Sequence, residues 1–313
     1  MKVYLDNGST SFPKPKAVAD SIYNYLINNG GNPGRSNHEK SLEANRILYD
    51  TRNEICDFFN FKKTENVIFT NNITSSLNIL INGIIKDGDH IITSSMEHNA
   101  VIRPLYNLSQ NLNIKLDIAQ ANSQGLVDIN SIKSLIKPNT KLIIITHASN
   151  VTGSIQPIKD IGKLCKENNI FFILDSAQSA GVLDIDFEEF FLDALAFTGH
   201  KSLLGPQGIG GFIINDKLNE ICTPTILGGT GSLSHSLTQP DFLPDKFESG
   251  TLNIPGIIGL NEAIKFINNE GLNTIYEHNN YLRSYLISEL LNIPNYNIIG
   301  TLDRSLSTSC VSI

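Results

Sequence analysis

Several stretches of this chain are apolar without interruption, such as LIII at 142–145 and IFFIL at 170–174. A strand that is apolar on both faces has to be covered on both faces, and a mostly parallel sheet between helical layers provides that cover. Further strands are expected at 67–70, 90–93, 115–118, 194–197 and 211–214. Helical spacing fills the gaps between them. Leu77, Leu80, Ile81, Ile84 and Ile85 mark one buried stripe, and Val18, Ile22, Tyr25 and Leu26 mark another after Pro13 and Pro15. Ile158, Ile161, Leu164 and Cys165 follow Pro157, a residue suited to a helix start. Strands alternating with helices specify an α/β fold. The pattern changes after about residue 253. Two longer helices are expected at 257–268 and 272–292, then short strands at 297–299 and 307–313. This predicts a large domain over 13–253 and a smaller α+β domain formed by 1–12 and 254–313. The last strand, TSCVSI, has nothing after it to pair with, so the small domain is expected to be incomplete and the chain truncated.

Composition removes several functions. Lys+Arg 24 against Asp+Glu 31 leaves −7, which argues against a nucleic-acid surface. No stretch approaches ~18 uninterrupted apolar residues, so no membrane span is expected. No secretory signal is visible at the start, and a cytoplasmic location is expected. The cysteines at 56, 165, 222 and 310 form no C-x-x-C pair, so neither a zinc knuckle nor a redox pair is expected, and no metal.

Ligands of a parallel sheet collect beyond the carboxyl ends of its strands. The residues at those positions are polar: Asn71 to Ser76, then Glu97, His98 and Asn99, then His147, Ser149 and Asn150. Asp175, Ser176 and Gln178 follow, and Thr198, Gly199, His200 and Lys201 end the series. Thr74, Ser75 and Ser76 open a helix, where free N–H groups favour a phosphate; taken alone, an ordinary helix cap explains them. Asp175 at the rim of a buried strand needs a partner. Lys201 in a partly desolvated turn is a potential amine nucleophile. Together, a lysine, a carboxylate from the neighbouring strand end and a phosphate cradle describe pyridoxal 5'-phosphate. The glycines at 205, 208, 210 and 211 follow the lysine and precede a strand, which is the wrong order for a dinucleotide fingerprint.

Read in order, the motifs resemble the cysteine desulfurase branch of the class V aminotransferases, which are fold-type I pyridoxal-phosphate enzymes. The resemblance covers nearly the whole chain. It rests on YLDNGSTSFPKP at 4–15, GNPGRSNH at 31–38, TNNITSSLN at 70–78 and MEHNA at 96–100. HASNVTG at 147–153, DSAQSAG at 175–181, TGHKSLLGPQGIGG at 198–211 and FESGTLN at 247–253 complete it. The resemblance implies that Lys201 forms the Schiff base and Asp175 pairs with the pyridinium nitrogen. Gln178 matches the residue at the ring hydroxyl, His98 the imidazole that stacks on the ring and handles protons, and Asn150 an amide near the ring. Thr74, Ser75, Thr198 and His200 match the phosphate turn and its contacts. Thr251 matches a residue that reaches the phosphate from a second subunit, so a homodimer is implied.

The implied activity is removal of sulfur from L-cysteine to give L-alanine and an enzyme persulfide, with a sulfur-acceptor protein as further partner. Transamination, selenocysteine lysis and an inactive cofactor-binding scaffold are the alternatives. Two departures stand out. Asn72 and Ser75 replace the family's Gly and Glu, and Asn72 is expected to adopt the left-handed backbone while Ser75 caps the helix. The family's late R-x-x-x-H-C pattern and substrate-binding Arg are absent. The sulfur-accepting cysteine is therefore expected beyond residue 313. Cys56 and Cys222 lack an activating setting, and Cys310 is expected to be a buried structural thiol.

Overall fold

A computed structural model describes residues 3–34, 38–233, 235–294, 297–301, 305–306 and 310–312. The central sheet contains β1 (Val67–Thr70), β2 (His90–Ser94), β3 (Lys115–Ala119), β4 (Thr140–Thr146), β5 (Phe171–Asp175), β6 (Ala194–Thr198) and β7 (Gly210–Ile214). Its strand order is β1-β7-β6-β5-β4-β2-β3, with β7 antiparallel to both neighbours and the other pairs parallel. The link from β6 to β7 carries no helix. A parallel return needs a crossover of about a dozen residues or more, so the chain comes back antiparallel.

The uninterrupted apolar runs are explained by alternation. Ile143, Ile145, Phe172, Leu174, Leu195 and Phe197 point to one side, where α2 (Glu39–Phe58), α6 (Ile158–Glu167) and α8 (Ile254–Glu270) cover them. Leu142, Ile144, Ile173, Ala194, Ala196 and Phe212 point to the other, under α3 (Ile73–Ile84), α4 (Asn99–Asn111) and α7 (Asp216–Ile221). Both sides of the sheet are thus dry. α1 (Lys16–Asn24) packs against α8, and α5 (Ile129–Leu135) connects β3 to β4.

After α8 come α9 (Leu272–Leu291) and an antiparallel pair of β8 (Asn297–Ile299) with β9 (Cys310–Ser312). Of the strand expected at 307–313, residues 310–312 are found; 307–309 and 313, and the Cys310 side chain, lie outside what is described. Leu306 packs on Ala148 and Val182, and its N–H donates to Gly153 O. Among the described residues no helix is long and apolar enough to cross a membrane.

Candidate active site

β1, β2, β4, β5 and β6 share one direction, so their carboxyl ends meet at one edge of the sheet. β7 runs backwards and brings its first residue to that edge. Gly210 pairs with Thr70 on one side and Thr198 on the other. A Cβ on Gly210 would lie 3.0 Å from Asn72 Cα and 2.8 Å from Phe197 O. The bare glycine lets the turn carrying Thr74 and Ser75 close on the end of β6.

Asp175 is the last residue of β5 and is 1 % exposed. Its side chain accepts one hydrogen bond, from Ala177 N–H at 2.9 Å. Burial pushes its carboxyl above the usual carboxylate range, while Ala177 N–H and the charges of Lys201 and His98 pull it back. Lys201 lies in the turn after β6. Desolvation lowers its amine from the ordinary lysine value and the Asp175 charge opposes that. The two groups therefore sit within electrostatic reach of one another. Gly181, at φ +95°, brings the DSAQSAG turn against this lysine turn: a Cβ there would stand 2.2 Å from Ser202 O. Gln178, in the same turn, is buried and donates to Gly8 O at 3.2 Å.

The amino-terminal segment straps the lysine turn down. His200 O accepts from Ser11 N–H at 3.1 Å, Thr10 Oγ1 at 3.1 Å and Lys14 Nζ at 2.6 Å, and Ser11 Oγ donates to Lys201 O at 2.9 Å. Burial lowers the Lys14 ammonium to about 8. The motif reading missed these roles; the Ser and Lys of YLDNGSTSFPKP were the available signal. It also missed the enclosed carboxyl of Glu97.

The phosphate turn differs from expectation. Asn72 is extended, φ −174° and ψ 167°, not left-handed, and any residue adopts that conformation. Asn72, not Ser75, is the cap of α3: its Oδ1 accepts from Ser75 N–H at 3.0 Å. A short amide side chain meets the free helix N–H directly, so no positive φ is needed. Thr74 is exposed and Ser75 half-buried. Across the turn, Thr198 Oγ1 and His200 Nδ1 are buried without a hydrogen-bond partner among the described residues. Burial, with the charges of Lys201 and Lys14, lowers the His200 imidazole below its usual value.

His98 is exposed at the mouth and caps α4, its Nδ1 accepting from Ala100 N–H at 3.1 Å. That bond occupies Nδ1 and leaves Nε2 to other partners. Asn150 lies on an exposed turn after β4. Thr251 is exposed, on a turn anchored where Asn253 Nδ2 donates to Gly208 O at 2.8 Å. Neither hydrogen-bonds to the Asp175–Lys201 group within one chain.

The model of the aminotransferase class-V family matches residues 3–313. The chain belongs to the class-V aminotransferase family. This class-V chain is 35% identical over 309 residues to a probable cysteine desulfurase of Borreliella burgdorferi, covering 95% of itself and 72% of that relative. It superposes with a TM-score of 0.89 on the apo cysteine desulfurase of Thermococcus onnurineus, at 30% identity, covering 97% of itself and 77% of that chain. A third similar structure is SspA in complex with cysteine, at a TM-score of 0.75 and 29% identity, covering 84% of this chain and 72% of that one. The fold is the fold-type I architecture expected from the motifs.

The residues present fit pyridoxal 5'-phosphate, the cofactor that the family implies. A carboxylate enclosed with one backbone N–H suits a protonated ring nitrogen, which supplies the missing positive partner. The unpartnered Thr198 hydroxyl and His200 imidazole, beside a helix start, suit a phosphate. The three described thiols are unsuited to accept sulfur. Cys56, Cys165 and Cys222 are buried, and burial pushes Cys56 and Cys222 to about 12 and Cys165 higher still.

Proposed function

We propose that this protein is a pyridoxal-phosphate-dependent cysteine desulfurase that converts L-cysteine and an acceptor thiol to L-alanine and a persulfide. The observation that carries the reading is the enclosed Asp175 carboxylate within electrostatic reach of the desolvated Lys201 amine. The cysteine bound to a similar structure supports the substrate.

Pyridoxal 5'-phosphate, when bound, supplies an electron sink for the charge left at the substrate Cα. Asp175, Gln178, His98 and Asn150 would hold its ring, and Thr74, Ser75, Thr198 and His200 its phosphate. Thr251 would come from a second subunit of a homodimer. Lys201 holds the cofactor and then moves the Cα proton at Nζ. Its lowered proton affinity suits that work, because a permanently charged ammonium accepts nothing. Asp175 keeps a negative charge in a dry setting, where it interacts more strongly than in water. His98 is held by its cap on α4 through Nδ1, which leaves Nε2 as the ring atom that would handle protons at the substrate. The strap from Thr10 to Lys14 fixes the backbone of the lysine turn. The sulfur goes to a thiol other than Cys56, Cys165 and Cys222. These free thiols accord with the reducing cytoplasm as the working compartment.

The test adds pyridoxal 5'-phosphate to the purified protein. A near-visible band should form, be removed by borohydride and leave its label on Lys201. Lys201→Ala should lose the band and stay folded. L-cysteine with a dithiol acceptor should then yield alanine. Transfer of the amino group to a keto acid, without alanine, would move the reading to transamination. Absence of any cofactor band on folded protein would sink it altogether.

A further inference from the structure

The reaction proposed above gives Glu97 no task, although its carboxyl lies between the ends of β2 and β4. Glu97 stands on the loop between β2 and α4, one residue before His98. Its Oε1 accepts hydrogen bonds from Ser94 Oγ at 2.6 Å and from Thr146 N–H at 3.0 Å. It therefore ties the last residue of β2 to the last residue of β4. Thr146 is in turn the register partner of Asp175 on β5. Glu97 Oε2 is buried and has no hydrogen-bond partner among the described residues.

We propose that Glu97 is a positioning residue: it clamps the ends of β2 and β4 so that His98 and Asp175 keep their places, and it does so as a neutral acid, leaving the negative charge to Asp175. This rests on the reading of Lys201 and Asp175 as cofactor residues. Two enclosed carboxyls in one corner do not both ionise, and the proton goes to the one with less cationic help. Asp175, at the end of β5, has the charges of Lys201 and His98 acting on it. Glu97 has the donors Ser94 from β2 and Thr146 from β4, and the charge of Asp175 acts on it repulsively. An unpartnered Oε2 costs less as part of a neutral carboxyl than as half of a carboxylate. Burial, the largest cause, raises this carboxyl to about 8, in agreement with the geometry.

The experiment compares wild type with Glu97→Gln and Glu97→Ala. Glutamine copies the shape and the acceptor of the neutral acid; alanine removes the clamp. The apo-protein is read by infrared spectroscopy at neutral pH, where wild type should show a protonated-carboxyl stretch that Glu97→Gln lacks. The protein loaded with pyridoxal 5'-phosphate is read by the pH titration of its near-visible band and by exchange of the Cα proton of L-alanine with D2O.

Above about pH 8 Glu97 gives up its proton, and the negative charge it then adds beside Asp175 favours the protonated cofactor, so Glu97→Gln, neutral throughout, should lower the alkaline midpoint of the band by about 0.5–1 pH unit. Glu97→Ala should slow the exchange by ~30-fold at a KM within ~2-fold, and Glu97→Gln should recover most of that loss. A Gln titration that superimposes on wild type overturns the proposal. So does exchange as slow in Gln as in Ala, wild-type exchange in Ala, or an absent infrared band. If Ala does not fold, the Gln titration and the infrared band decide. A wild-type protein that binds no cofactor overturns the site reading itself, and this proposal with it. A wild type that loads on Lys201 with Gln and Ala both indifferent overturns the role of Glu97 alone.

Discussion

Lys201 and Asp175 owe their chemistry to burial. Neither group would be unusual on a surface, and both depart from their ordinary proton affinities because the end of the sheet is dry. Asp175→Ala should retain a cofactor fixed on Lys201 but slow Cα-proton exchange of L-alanine by ~100-fold or more, as measured by NMR in D2O. The thiols follow the same rule with the opposite result. Cys56, Cys165 and Cys222 should resist iodoacetamide in the native protein at mildly alkaline pH and react only after denaturation, read by mass spectrometry. At this scale the sequence was informative wherever a polar residue directly follows an apolar strand. It was less so where a partner is remote: nothing near Glu97 in the chain announces that its oxygen meets Thr146 N–H.

The elements around the site are held by contacts between segments far apart in the chain. Arg52 of α2 meets Glu248 at 2.7 Å and also donates to Val67 O at 3.2 Å, while Glu248 accepts from Phe69 N–H at 2.7 Å. One buried pair thus joins α2, β1 and the segment that leads to Thr251. Arg52→Ala strands Glu248 as an unpaired buried acid and should cost about 3–5 kcal/mol in chemical unfolding. The glycine of the DSAQSAG turn is equally exacting. Gly181→Ala at φ +95° places a methyl group on the Ser202 carbonyl, so the lysine turn must shift. It should destabilise by ~2 kcal/mol or more and weaken cofactor retention, measured by thermal unfolding and by dialysis. Periodicity located the strands of the central sheet to within a residue or two, since apolar runs report the strand itself. It did not report the antiparallel sense of β7, which follows from the absence of a crossover helix.

Across the whole molecule, enclosed acids link stability to pH. The Glu97 carboxyl is near 8 when folded and near 4.5 when unfolded, so the folded state holds an extra proton between those values. Its contribution is complete below the unfolded value and is lost as pH rises towards 8, at up to ~1.4 kcal/mol per pH unit. Burial shifts Glu248 in the same direction, only partly offset by Arg52. The opposite end of the sheet carries a counterweight. His90 is fully buried between Thr140 and Asp117, with Lys137 bound to the same carboxylate. Desolvation lowers its imidazole, so the unfolded chain binds the proton better and stability falls as pH drops below about 6.5. Urea unfolding of the apo-protein should therefore weaken on both sides of a weakly acidic optimum. Glu97→Gln should remove its share of the fall across the whole span from about 4.5 to 8 and leave the His90 contribution below about 6.5.

The order of apolar runs, turns and polar strand ends determined by itself that the chain builds a covered, mostly parallel sheet, and which side chains collect at its carboxyl edge. These properties are local: each depends on a few neighbouring residues and on the period of a strand or helix. Tertiary structure alone decided which groups become dry and which meet. The docking of Ser11 and Lys14 on His200, the Arg52–Glu248 pair and the enclosure of Glu97 each join segments brought together only when the layers close. The extended backbone of Asn72 belongs here as well, because its conformation is set by the turn closing against Gly210 and not by the preference of asparagine.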